Sequence, residues 1–225
     1  MAKSIAVLGL GKFGMSLVRS LNEMGADVMA VDKVETYVQE IANYCSTAIC
    51  ADLANEEDLN KLGLKEMDIV VCAMGESLEA SILSVAVAKE QGVPLIVAKS
   101  SSARMSSILR KVGANRVIMP EEYAGARSAA MLVSESVLDY FELGSRLSMI
   151  EMAPLNEWIG KSMAELNIRN KYQMTIVAGK DEKGEWMPMD PEQPLQEKMK
   201  LLAVVDRKNL GKLKSSKTKS GVIII

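Results

Sequence analysis

The chain has 225 residues, 48% of them hydrophobic and 25% charged, a balance that supplies a full core and excludes disorder over most of the length. Its 27 Lys and Arg against 29 Asp and Glu give a net charge of −2, so nucleic acid is not the expected partner. Histidine is absent, which excludes His-based triads, His metal sites and imidazole general bases.

From residue 3 to 120, short apolar runs alternate with stretches of helical spacing, the pattern of a Rossmann-like, doubly wound, parallel six-stranded α/β sheet. The predicted strands are Ser4 to Leu8, Asp27 to Val31, Thr47 to Ala51, Asp68 to Ala73, Leu95 to Ala98 and Arg116 to Met119. Between them, sets such as Phe13, Leu17, Leu21, Met24 and Met105, Ile108, Leu109, Val112 give each helix one face to lay on the sheet. Gly25, Gly63, Gly92 and Gly113 fall where those helices should end, in the left-handed position of a C-cap. Residues 1–121 are read as one nucleotide-binding domain and residues 122–144 as a linking and dimerisation helix, with Ala126, Ala129, Ala130, Val133, Val137, Leu138 and Phe141 on its apolar face.

Residues 145–213 read as a small α+β domain. Its predicted elements are a strand at Met149 to Met152, a helix around Lys161 to Leu166, a strand at Met174 to Ala178, a hairpin turn at Asp181 to Gly184, and strands at Glu185 to Met187 and Leu201 to Val205. Trp158 and Trp186 are expected as core anchors there. From Arg207 to Ser220 the chain is basic and reads as a solvated, frayed tail, with residues 214–225 beyond the domain. The apolar run Val222 to Ile225 has no account at this level. No internal repeat is visible.

Three cysteines without a Cys-x-x-Cys pair fit a reducing cytosol, and Cys72, inside an apolar strand, is expected to be inert packing. The longest apolar runs, near residues 5–10 and 69–74, are too short for a bilayer, so no transmembrane segment is expected.

The chemistry concentrates at Gly9-Leu10-Gly11-Lys12-Phe13-Gly14, which follows the first strand and opens the first helix. Gly9 permits a tight turn, Gly11 lets backbone approach a pyrophosphate, and Gly14 lets helix and strand pack closely. Asp32, with Lys33 after it, ends the second strand 21 residues beyond Gly11, where a carboxylate accepts from both ribose hydroxyls and repels a 2′-phosphate. Lys12 opposes the helix dipole unless an anion lies nearby, so it reads either as a phosphate contact or as a solvent-facing lysine. Lys99 and Glu121 end or follow strands five and six. Glu121 is either a divalent-ion ligand against phosphate oxygens, Mg or Ca, or a carboxylate suited to a helix N-terminus. Asp52 either reaches an adenine edge or starts a turn. Only about 80 residues follow the long helix, and there is neither a histidine nor a Tyr-x-x-x-Lys pair, so a nucleotide is expected to be read, not reacted, and the chain is not expected to be an enzyme.

Gly-Leu-Gly-Lys-Phe-Gly at 9–14, Ala-Val-Asp at 30–32, Ala-Met-Gly at 73–75, Ala-Lys at 98–99 and Pro-Glu at 120–121 resemble the regulatory subunits of Trk/Ktr-type potassium transporters. These are built from the RCK (regulator of potassium conductance) domain. Gly160 to Leu166 followed by Ile168 to Tyr172 resembles the family's C-terminal half. Position 12 is Lys where the family often has Arg, and Ala51-Asp52-Leu53-Ala54 only partly follows the common Gly-Asp-Ala-Thr.

The resemblance implies a cytoplasmic gating subunit held at the inner face of the membrane by a potassium transporter subunit, a homodimer assembled into an octameric ring. It implies ATP or ADP, and NAD(H) in some members, bound by Gly9, Gly11, Lys12, Phe13, Gly14, Asp32, Lys33, Asp52, Leu53, Ala73, Met74, Gly75, Lys99 and Glu121, with a divalent cation at Glu121. It further implies cyclic di-AMP in the C-terminal half of some members, near Arg169 and Asn170. The alternatives are a small NAD-dependent oxidoreductase and a nucleotide sensor acting on another partner.

Overall fold

The computed structural model describes residues 2–75, 77–180 and 184–213. The chain divides into two compact units, Met1–Glu121 and Glu122–Ile225.

The first unit runs β1 (Ser4–Leu8), α1 (Lys12–Glu23), β2 (Asp27–Asp32), α2 (Glu35–Ile41), β3 (Thr47–Cys50), α3 (Glu56–Lys61), β4 (Ile69–Cys72), α4 (Leu78–Glu90), β5 (Leu95–Lys99), α5 (Ala103–Val112) and β6 (Arg116–Ile118). The six strands are parallel in the order β3-β2-β1-β4-β5-β6. Alternation along each strand sends Ala6, Leu8, Val70 and Cys72 to one buried cluster and Ile5, Val7, Val71 and Ala73 to another, so both faces of the sheet are covered, as parallel sheets require. The four helix-ending glycines all have positive φ, a conformation that would cost a residue with a side chain energy at the same position. The chain order reverses at β1, which pairs with β2 on one side and β4 on the other, and a crevice opens there beyond the strands' carboxyl ends.

The second unit contains most of α6 (Pro120–Val133), then β7 (Val137–Leu143), β8 (Leu147–Met152), α7 (Met163–Leu166), α8 (Ile168–Tyr172), β9 (Met174–Lys180), β10 (Trp186–Met187) and β11 (Lys200–Asp206). Its five strands form an antiparallel sheet in the order β10-β9-β11-β8-β7.

The linking helix expected over 122–144 is corrected here. It stops at Val133, and Val137–Leu143 is the edge strand β7, paired with β8 across the Gly144 turn. The register shift between Val137 and Asp139 explains the misreading, because a bulge breaks strand alternation and leaves the buried Val137 and Tyr140 three apart, as on a helix.

Trp158 is fully buried; its indole N–H donates to the Tyr172 hydroxyl at 3.2 Å, which donates to Glu157 at 2.6 Å. Trp186, expected in the core, is instead 39% exposed, because β10 is a two-residue edge strand. The frayed tail is also corrected over its first part: Arg207–Lys212 forms a 3-10 turn whose Leu210, with Leu213 after it, packs into the second unit's core. Of the turn expected at Asp181 to Gly184, residues 181–183 lie outside the described residues, as does the tail from 214 on. No helix among the described residues is long and apolar enough to cross a membrane.

Candidate functional site

The loop from β1 to α1 is shaped by two sterically required glycines. Gly9 has φ +99°, and its amide donates to the Val31 carbonyl at 2.8 Å, drawing the turn over β2. At Gly14 a Cβ would lie 1.9 Å from the Gly9 carbonyl oxygen, so helix and turn touch backbone to backbone. Gly11 differs. Its φ of −63° suits any residue, and a Cβ there would meet no protein atom within 4 Å. Nothing inside the fold within 4 Å demands glycine at 11.

The N-terminus of α1 is uncapped. Helices α3, α4 and α5 each have a side-chain oxygen, from Asn55, Ser77 and Ser102, accepting first-turn amides. Helix α1 has no side-chain cap and no acidic residue in its first turn, and begins with the exposed Lys12, which forms no ion pair among the described residues. Free amides, a positive dipole end and a cation thus coincide beside Gly11. A concavity of about 450 Å³ opens at this point, lined in part by Gly11, Lys12, Ser16 and Arg19.

Asp32, half-buried at the end of β2, accepts from the Leu10 amide at 2.6 Å through one oxygen and from the Val34 amide at 2.9 Å through the other. It therefore ties the first two strand-to-helix loops together, and each oxygen keeps acceptor capacity for a hydroxyl. Asp32, Lys33, Asp52, Leu53 and Met74 line one small cavity of about 90 Å³, so the structure brings these five predicted residues together. Asp52 also accepts from the Ala54 amide at 3.0 Å, the turn-forming reading of that residue. Ala73 is buried among packing residues.

Across the switch point, Lys99 at the end of β5 is only 12% exposed. Its ammonium lies 2.6 Å from Glu121, 5.9 Å from the Phe13 ring centre and 3.0 Å from where a Gly75 Cβ would sit. The Lys99 hydrogen bond is the largest cause holding the Glu121 carboxyl below the ordinary carboxylate range. Met74, Gly75 and Lys99 line a second cavity, of about 330 Å³, with Ser77, Ser100, Ser102 and Arg104. Sequence reasoning missed these four. The readable signal was a serine immediately before each of two apolar helices at strand ends.

Tested as a metal site, Glu121 brings one carboxylate already paired with an ammonium. Among the described residues no three acidic or cysteine side chains are grouped to hold an ion. An ion there would need oxygens from a ligand.

Burial pushes the Cys72 thiol up to about 12, and raises the half-buried Cys45 as well; Cys50 is exposed. In the second unit, Arg169 lines a cavity of about 280 Å³ with Met163, Ala164, Ile168, Met174 and Pro191 among its walls. Asn170 does not line it and donates to Asn167 at 2.7 Å.

Residues 5–120 match the TrkA-N domain family. Over 178 residues the chain is 40% identical to "Ktr system potassium uptake protein C" of Bacillus subtilis (strain 168), covering 79% of this chain and 80% of that protein. It is 34% identical over 208 residues to "Ktr system potassium uptake protein A" of the same organism, covering 92% and 94%. Among solved structures, the RCK domain of GsuK aligns with a TM-score of 0.64 at 16% identity, over 98% of this chain and 49% of that one. The GsuK channel bound to NAD aligns with a TM-score of 0.60 at 15% identity, over 95% and 39%. At these identities the GsuK structures speak to the fold alone.

Proposed function

Because the chain belongs to the TrkA-N domain family, we propose that it is the nucleotide-sensing regulatory subunit of a potassium uptake system, not an enzyme. The observation that carries the reading is the uncapped start of α1, where Gly11 leaves open space beside free amides and Lys12. An adenine nucleotide, ATP or ADP, or NAD(H), lies across the switch point. Asp32 accepts from the ribose, the α1 amides and Lys12 hold phosphate, and the Asp52–Leu53 side receives the adenine. A divalent ion, where present, binds through phosphate oxygens and Glu121 in competition with Lys99.

The partner is a membrane potassium transporter subunit, and the working form is a cytoplasmic homodimer within an octameric ring. Gating then requires that different nucleotides bind two states of the assembly unequally, with a coupling of about 1 to 3 kcal/mol. The cavity at Arg169 supports a second ligand site, and cyclic di-AMP is the ligand we propose for it.

Calorimetric titration with ATP, ADP and NADH tests the reading directly. Saturable binding by at least one is expected, and Gly11→Val should weaken it about a hundredfold or more without lowering the melting temperature, since a side chain at 11 meets only open space. Unchanged affinity in that variant would remove phosphate from this loop. Turnover of NADH with a substrate would replace the gating subunit by an oxidoreductase.

A further inference from the structure

Lys99 is enclosed and its counter-ion is not. The lysine side chain is 12% exposed against 65% for Glu121, which stands 2.6 Å away, and among the described residues Lys99 has no other ion-pair partner. The two ends of the pair therefore respond differently to separation. Glu121 can turn into water at little cost, and in the first turn of α6 its charge is favourable at the positive end of the helix. Lys99 has no such alternative, because an enclosed ammonium stripped of its counter-charge is strongly unfavourable. A pair of this kind opens only when another anion takes the carboxylate's place.

The surroundings of Lys99 lead to the nucleotide loop. Its ammonium lies 5.9 Å from the ring centre of Phe13, in the first turn of α1, and 3.0 Å from where a Cβ on Gly75 would sit. Phe13 follows Gly11 and Lys12, so an anion at the free α1 amides lies next to the residue that borders the ammonium. Lys99 also lines the cavity of about 330 Å³, which shares Met74 and Ser77 with the smaller cavity at Asp32 and Asp52.

We propose, resting on the nucleotide reading above, that Lys99 is the residue by which the site reads ligand phosphate: an incoming phosphate oxygen replaces the Glu121 carboxylate on its ammonium, and Glu121 is released. One charge-assisted hydrogen bond is exchanged for another, and no divalent ion is required. The released carboxylate stands at the head of α6, and Ala126, Ala130 and Met131 further along that helix pack in the second unit's core. Occupancy is thereby registered at the start of the element that carries the chain out of the first unit. A ligand without phosphate leaves the pair intact.

Calorimetry on the full chain with ADP and ATP, in EDTA so that no divalent ion competes for Glu121, tests the exchange. Glu121→Gln removes the competitor and should tighten binding about fivefold or more, whereas Lys99→Met should weaken it about tenfold or more. In a Lys99→Met background, Glu121→Gln should gain nothing, the non-additivity expected of two groups in one exchange. The unliganded Glu121→Gln chain should melt below wild type, and at saturating ADP the two should melt together, because the carboxylate is idle once phosphate is bound. Unchanged or weaker affinity in Glu121→Gln, or equal tightening in the Lys99→Met background, overturns the exchange, while binding by the wild-type chain keeps the nucleotide reading. Failure of the wild-type chain to bind either nucleotide overturns both.

Discussion

The two units leave different kinds of surface unsatisfied. In the first, buried clusters cover both faces of the parallel sheet, and the strand ends present backbone amides, Lys12 and paired carboxylates. In the second, β7 and β10 are edges, and Leu138, Phe141, Leu143 and Leu147 are exposed apolar side chains on the β7–β8 hairpin. Unpaired amides at a helix start suit a small anion, whereas an edge strand with exposed apolar residues suits a large surface. The two units thus expose different chemistry. Closing both faces of the parallel sheet leaves its strand ends as the place where helix-start amides meet solvent, while the antiparallel sheet's β7–β8 hairpin edge carries exposed apolar side chains.

The sharpest way to break that division is to damage one unit and watch the other. Gly14→Val drives a side chain into the Gly9 carbonyl and should cost about 3 kcal/mol, roughly 10 °C in the first unit's melting temperature. Both tryptophans lie in the second unit, so their fluorescence should hold while helical circular dichroism falls. Trp158→Ala should cost the second unit about 3 to 5 kcal/mol, read as a lowered unfolding midpoint of the remaining Trp186 fluorescence while the first unit's transition stays in place. A single shared transition in both variants would show that the units do not fold as separate bodies.

A smaller effect concerns Glu121. Its carboxyl is held low in the fold by Lys99, so the stabilisation it contributes is present above its unfolded pKa and is lost as pH falls through the lowered folded value. Lys99→Met should therefore raise the Glu121 titration seen by NMR and flatten the acid limb of the stability curve; an unmoved titration would mean the pair is not formed in solution. With Glu121 65% exposed, the change in stability itself should be slight. The smallest signal is thiol labelling at neutral pH. Cys50 should react first and Cys45 more slowly, while Cys72, pushed up to about 12 by burial, should react only on unfolding.

Legibility in the sequence followed the same divide. The parallel sheet could be read because each βα unit repeats one statement: an apolar run, a helical stripe and a terminating glycine such as Gly25 or Gly92. Gly9, Gly11 and Gly14 could be ranked by role because their spacing after a strand constrains the loop. The antiparallel unit was harder. A bulge between Val137 and Asp139 erased the two-residue rhythm of β7 and made it resemble the end of α6. The alternatives for Glu121, ion ligand or helix-start carboxylate, stayed open because its partner Lys99 is 22 residues away in the chain, beyond the reach of local pattern.

Asp32 has a kinetic consequence. Its two oxygens already staple the Leu10 and Val34 amides in place, so this part of the pocket rim is held by bonds within the fold and needs no guest to order it. A receptor that need not refold its rim between guests does not spend binding energy on ordering it. Under the reading given above, replacement of one nucleotide by another would then be timed by departure of the old molecule, letting the protein follow the cell's energy state as quickly as its tighter guest lets go.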